Sequence, residues 1–286
     1  MPFDIVAGGT GRQDDVGAVA AELSRLPGAI ALEFTRRRIK VVACRGNVTD
    51  FAPELADPGE VPEGWPEGAS WTTIPGAYVP ARRAVVIATL GPEDGPRRVP
   101  ICGEGHGARS LAVHEAIHGY DYASGDLKSR DPAFRRAWTT DKPLLGSAYF
   151  SGDEWGPRES YAESAAQQFG ADQSQAGRWP NLAAYWRAFE PFAPSRWARV
   201  SNAFARFIAP VYLSGQPIGH GVIQADGTIQ LDLTAHSKSG AIGHGRLTVS
   251  PGDRGYEDLL ARVTPKLHPV DPAVGPATQV LVWPQR

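Results

Sequence analysis

The chain opens with a clear helical period. Val16, Val19, Ala20, Leu23 and Leu26 recur on one side of a segment that begins at Asp14-Asp15 and stops at Pro27-Gly28, so residues 14 to 26 predict an amphipathic helix. Two short apolar runs, Ala29 to Phe34 and Ile39 to Cys44, flank the basic Arg36-Arg37-Arg38 and predict two strands joined by a solvated turn. Phe51 to Gly76 is rich in proline and keeps no period, which predicts an ordered loop pinned by Trp65 and Trp71. Tyr78-Val79 and Ala84 to Leu90 then predict a hairpin turning at Pro80-Ala81-Arg82, and the Gly-rich Cys102 to Gly107 leads into another helix.

The middle of the chain is helical, with segments 157 to 170, 180 to 190 and 195 to 209 each opened by a proline. After Pro210 the pattern becomes that of strands. Gly221-Val222-Ile223 and Thr228 to Leu231 flank Asp226-Gly227, a strong hairpin signal, and Arg246 to Val249 continues as a third strand. Pro251-Gly252-Asp253 caps a short helix bearing Tyr256, Leu259, Leu260 and Val263. The chain therefore divides into residues 1–209, an α+β unit with a small mixed sheet and several helices, and a small β-rich C-terminal domain over 210–286, unless that sheet packs onto the first part.

Composition narrows the function classes. With 29 Lys and Arg against 31 Asp and Glu the net charge is −2, which leaves no excess to hold a nucleic-acid backbone or an anionic bilayer. No stretch approaches the roughly 18 apolar residues of a spanning helix, so a membrane span is not expected. Two cysteines, Cys44 and Cys102, exclude a disulfide scaffold and a cysteine-built metal site while leaving a single bridge open. The start Met1-Pro2-Phe3-Asp4 does not read as a secretory signal, so the expected location is cytoplasmic, or outside the cell by a signal-less route.

The segment that carries chemistry is His114-Glu115-Ala116-Ile117-His118, followed by Asp121. On a helix the two histidines lie one turn apart on one face, so both imidazoles can hold one zinc while Glu115 stands beside a metal-bound water as general base. In a chain of this composition the pattern arises by chance about once in a hundred. Val113, Ala116, Ile117 and Tyr120 form a separate apolar stripe that can enter a core, and Asp121 is placed to orient a histidine ring or simply to lie on the helix surface. A catalytic zinc needs a third protein ligand, and Glu159 is the candidate, with Glu163 one turn on bracing His114 or His118. The reverse assignment of the two carboxylates, or His106 as the third ligand, also satisfies the spacing. His220, His236 and His244 suggest at most a second metal in the C-terminal sheet, and Gly8-Gly9-Thr10-Gly11 reads as a turn rather than a phosphate loop.

His114-Glu115-x-x-His118-x-x-Asp121 followed by Glu159-x-x-Ala162-Glu163 resembles the zinc peptidase domain of the anthrax lethal factor family, which includes the Pro-Pro endopeptidases. Trp71 to Tyr78 and the strand after it look like that family's lead-in, and the likeness spans residues 15 to 208. The resemblance implies a zincin-like metallopeptidase fold in which His114, His118 and Glu159 bind zinc, Glu115 activates water, and a tyrosine stabilises the oxyanion; Tyr149 is the candidate. Ser160 departs from the family, which commonly has an aromatic residue there.

The expected function is a zinc-dependent endopeptidase acting on a protein or peptide, with the strand Ala84 to Leu90 as the edge to which an extended substrate adds. Two other readings share the motif: a toxin-type effector protease whose C-terminal domain binds a protein partner, and a non-catalytic module that zinc merely stabilises.

Overall fold

The computed structural model describes all residues except 1–2, 58–61, 63–64, 67–68, 94, 124–126, 146–154, 190–216, 225, 263, 266–278 and 285–286. Among the described residues nine strands, numbered β1 to β9 in chain order, form one sheet in the order β1-β2-β4-β3-β7-β6-β5-β9-β8. β1 (Ile5–Ala7), β2 (Lys40–Arg45) and β4 (Ala84–Thr89) are mutually parallel. β3 (Gly76–Val79) runs antiparallel to β4, and the β3–β4 turn lies at Pro80–Arg82 as the sequence predicts. The rest is antiparallel: β5 (Pro217–Ile223), β6 (Ile229–His236), β7 (Ile242–Val249), β8 (Thr264–Pro265) and β9 (Gln279–Pro284).

Alternation along the strands divides the core into two layers. Val41, Ala43, Val85 and Ile87 face one apolar cluster with the helices, while Val42, Cys44, Val86 and Ala88 face the other. Strands buried on both faces need continuous apolar runs, and β2 and β4 supply them. The first layer holds α1 (Gln13–Leu23), α2 (Gly28–Arg37), α3 (Leu111–Ala123), α4 (Pro132–Asp141), α5 (Trp155–Phe169) and α6 (Pro180–Arg187). The second contains Trp65, Trp71 and Ile74 of the proline-rich segment, together with Ile229, Leu231, Leu233 and Ala235 of β6 and Tyr256 and Leu259 of α7 (Tyr256–Arg262).

Two expectations are corrected here, and a third observation bears on the C-terminal strands. Ala29 to Phe34 is helical rather than extended: Ile30, Ala31 and Phe34 are the buried positions, a spacing that fits one helical face, and Arg38 closes α2 in the left-handed region at φ 55°. The basic triplet thus ends a helix. The strand Ala84 to Leu90 is no edge, because β4 lies between β2 and β3. The C-terminal strands join the first part directly, since β7 pairs with β3 over Gly76↔His244, Ala77↔Gly243 and Tyr78↔Ile242. The boundary expected near residue 210 and the helix expected over 195–209 lie outside the described residues.

Cys44 is buried and Cys102 exposed, and both are free thiols. Among the described residues no helix is long and apolar enough to cross a membrane.

Candidate metal centre

Ser110 starts α3, accepting at its hydroxyl from the Val113 amide while its carbonyl accepts from that of His114. The helix then presses closely on the sheet because two glycines omit side chains. A Cβ on Gly119 would lie 2.5 Å from Val85 Cγ2, and one on Gly76 of β3 would lie 2.8 Å from Glu115 Cγ. α5 packs on α3, and its Ala162, Ala165 and Ala166 are buried in the apolar cluster that the two helices share. Ser160 accepts from the Trp138 indole at 3.0 Å, and Ser164 accepts from that of Trp186 at 2.8 Å. These contacts anchor the helix that carries Glu159 and Glu163.

At the crossing, the Nε2 atoms of His114 and His118 face one another at 3.0 Å. Glu159 reaches both, with Oε2 3.5 Å from His114 Nε2 and Oε1 3.6 Å from His118 Nε2. Glu163 sits behind, accepting from His114 Nδ1 at 3.2 Å and from the Arg109 amide at 3.3 Å. A fourth group comes from β7. His244 places Nε2 2.8 Å from Glu159 Oε2 and Nδ1 2.8 Å from Glu115 Oε1, and its ring stacks on His118 with centroids 4.9 Å apart.

His114, His118, Glu159 and His244 each offer one ligand atom, all four within 4.8 Å of one another, and all four residues are buried. Such a packing fits a shared cation: with His114 Nδ1 turned to Glu163, the two facing Nε2 atoms either share one proton or aim both lone pairs at one ion, and Glu159 Oε1 and Glu115 Oε2 are buried without a hydrogen bond. Imidazole nitrogen with carboxylate oxygen suits a borderline divalent metal. Burial opposes charge on each group. For His244 the carboxylates of Glu159 and Glu115 overcome it and raise the pKa well above the usual histidine value. Burial would likewise raise Glu159, yet His244 and His118 hold it well below the usual range. His118 is lowered well below its usual value, chiefly by burial.

The structure thus brings together His114, His118, Glu115, Glu159 and Glu163. Asp121 accepts from the Ser129 amide and hydroxyl at 2.8 Å each, which ties the end of α3 to the turn Lys128–Arg130. His106 stands apart, with Nε2 3.0 Å from the Pro100 carbonyl. Tyr149 lies outside the described residues. The sequence reading missed His244 as a member of this centre and grouped it with a second metal. Its available signal was Gly243-His244-Gly245, a histidine between residues that leave a neighbouring strand room to approach.

Comparison with known proteins returns the family that the motif suggests. No protein-family model matches the chain. A Pro-Pro endopeptidase of Clostridioides difficile is 26% identical over 170 residues, covering 58% of this chain and 70% of that protein. One of Paenibacillus alvei is 25% identical over 175 residues, covering 60% and 74%. The solved structure of the Pro-Pro endopeptidase from Paenibacillus alvei matches with a TM-score of 0.51 and 22% identity, covering 64% of this chain and 96% of that one. The fold is shared, and about a third of this chain has no counterpart there.

Proposed function

We propose that this protein is a zinc-dependent endopeptidase that hydrolyses peptide bonds of a protein substrate, with a zincin-like pairing of α3 and α5 around the ion. One observation carries the reading: His114, His118 and Glu159 converge from two helices while Glu115 stands on the same helix beside them. Two imidazoles and one carboxylate form a donor set of catalytic zinc sites. The relatives' name supports a peptidase acting on protein.

When bound, zinc would bring the pKa of a water toward neutrality and polarise the carbonyl under attack. The chain's own groups handle position and protons. Glu163 accepts the Nδ1 proton of His114 and so presents Nε2 to the site. Glu115 takes a proton at Oε2, the oxygen that makes no hydrogen bond, and passes it to the leaving amine. Tyr149 is proposed to stabilise the oxyanion.

His244 also favours a second reading, in which a complete four-ligand shell only stabilises the fold. Cleavage of a peptide library with and without chelator separates the two. Cleavage that stops on chelation and returns with zinc supports the peptidase, whereas a folded, zinc-loaded protein inert toward every peptide, even with His244 removed, overturns it.

A further inference from the structure

A peptidase that recognises extended chains by strand addition needs an open sheet edge beside its metal. In the first half of this sheet that edge is β3: β4 occupies its other side, and Gly76 of β3 lies close against Glu115 of the active helix. β7 lies on that edge, antiparallel, with His244 directly across from Gly76. Its neighbours are suited to tight seating. A Cβ on Gly243 would lie 2.7 Å from the Gly76 carbonyl oxygen, and one on Gly245 2.6 Å from the Trp65 ring.

We infer that β7 is a built-in occupant of the substrate groove, with His244 taking the coordination place that catalysis requires to be open, so that the protein as folded is a latent peptidase. This rests on the metallopeptidase reading above and adds its regulation. The C-terminal strands hold the closed state through the Trp65 indole, which donates to the Thr234 carbonyl at 2.9 Å, and through the Arg246 amide, which donates to that of Gly105 at 2.8 Å. Trp65, Ile74, Leu233 and Ala235 add a shared apolar layer. The seam is nonetheless narrow. β7 pairs with β3 only over Ile242, Gly243 and His244, but with β6 along its whole length, so the C-terminal strands can leave β3 together while keeping their own pairing. An activating event would expose the β3 edge and free the fourth place at once.

The test uses the full chain loaded with Co2+, whose visible absorption reports its ligands, and acetohydroxamate as a small chelating probe. The wild-type spectrum should ignore the probe at concentrations where His244→Ala and Gly243→Val both respond; the second variant keeps the histidine but forces β7 off β3. Hydrolysis of an unfolded polypeptide should rise at least about tenfold in both variants, as expected when a rare open state becomes the main one, and fall again when Glu115→Gln is added. A wild-type spectrum that shifts as readily as those of the variants overturns the proposal, and that measurement needs no variant to fold. So does hydrolysis no faster in either folded variant than in the wild type. Failure of the wild type to bind Co2+ at all would instead defeat the metallopeptidase reading itself.

Discussion

Nδ1 of His244 stands 2.8 Å from Oε1 of Glu115, so a strand from the C-terminal half is hydrogen-bonded to the proposed general base on the active helix. One carboxylate oxygen is therefore held while the other makes no hydrogen bond. Glu115→Gln should preserve this arrangement, because the amide carbonyl can still accept from His244. Peptide hydrolysis should fall by about 10² to 10⁴, the usual contribution of a general base, while metal per chain stays the same. Elemental analysis of the otherwise wild-type protein checks the metal, and turnover is compared in a His244→Ala background so that the strand does not limit the rate. Full hydrolysis by the glutamine variant would remove Glu115 from the mechanism.

Glu163 would act on the proposed metal through His114. Its carboxylate accepts from Nδ1 and also from the Arg109 amide, so it fixes both the tautomer of the ring and the start of the helix. Glu163→Gln keeps an acceptor but loses the charge, and Glu163→Ala loses both. Chelator competition should show zinc affinity falling by about 10 to 100-fold in the alanine variant, the usual effect of removing such a partner, and by less in the glutamine variant. Equal affinity in all three proteins would leave Glu163 with a packing role only.

The helical part of this centre was legible because its signal is local. His114 and His118 share a face by virtue of the 3.6-residue period alone, and Glu159 with Glu163 repeats the same geometry on a second helix. His244 is different. Its nearest partners lie 85 and 129 residues away, and it meets them only because β7 pairs with β3, a relationship that no local period encodes. The same limit explains the misplaced substrate edge: hydrophobicity marks Ala84 to Leu90 as a strand but is silent on which strands flank it. The misread helix Gly28–Arg37 has a local cause instead, since its apolar positions over six residues fit either period and only the full ten-residue segment resolves them.

Asp15 links α1 to the sheet by charge. It accepts from Arg97 Nε at 2.7 Å, Arg45 Nε at 3.0 Å and the Arg12 amide at 2.7 Å, with Thr89 as a further donor. Burial alone would raise its pKa, but Thr89, the Arg12 amide and the two guanidinium groups hold it well below the usual carboxylate range. In the unfolded chain the carboxyl protonates near pH 3.9, whereas the folded group still resists. The stabilisation is thus complete above that pH and is lost as acidification proceeds through the folded value. Asp15→Asn should cost about 3 to 5 kcal/mol at neutral pH, because two arginines then face each other without a counter-charge. The gap between the urea midpoints of variant and wild type should narrow from pH 5 to pH 2. A gap that stays constant over that range would rule out the charge as its origin.

Gly119 follows directly after His118, the second of the proposed metal-binding histidines, and its missing side chain sets how near α3 lies to β4. In an unconstrained helix Gly→Ala gains roughly 0.5 to 1 kcal/mol. Here the sign should reverse. The new Cβ would stand 2.5 Å from Val85 Cγ2 and 3.3 Å from Phe34 Cζ, and valine, branched at Cβ and fully buried, has little freedom to turn away. Overpacking of this kind typically costs about 1 to 3 kcal/mol. The shift would also tilt His118, so zinc affinity should weaken together with stability. Val85→Ala alone should destabilise by opening a cavity, but combined with Gly119→Ala it removes the clashing atom and lets the two methyl-sized groups share the space. A double-mutant cycle on thermal or urea unfolding should therefore show the pair more stable than the sum of the single changes by at least about 0.5 kcal/mol. Strict additivity would mean that the helix reaches its position for reasons other than the glycine.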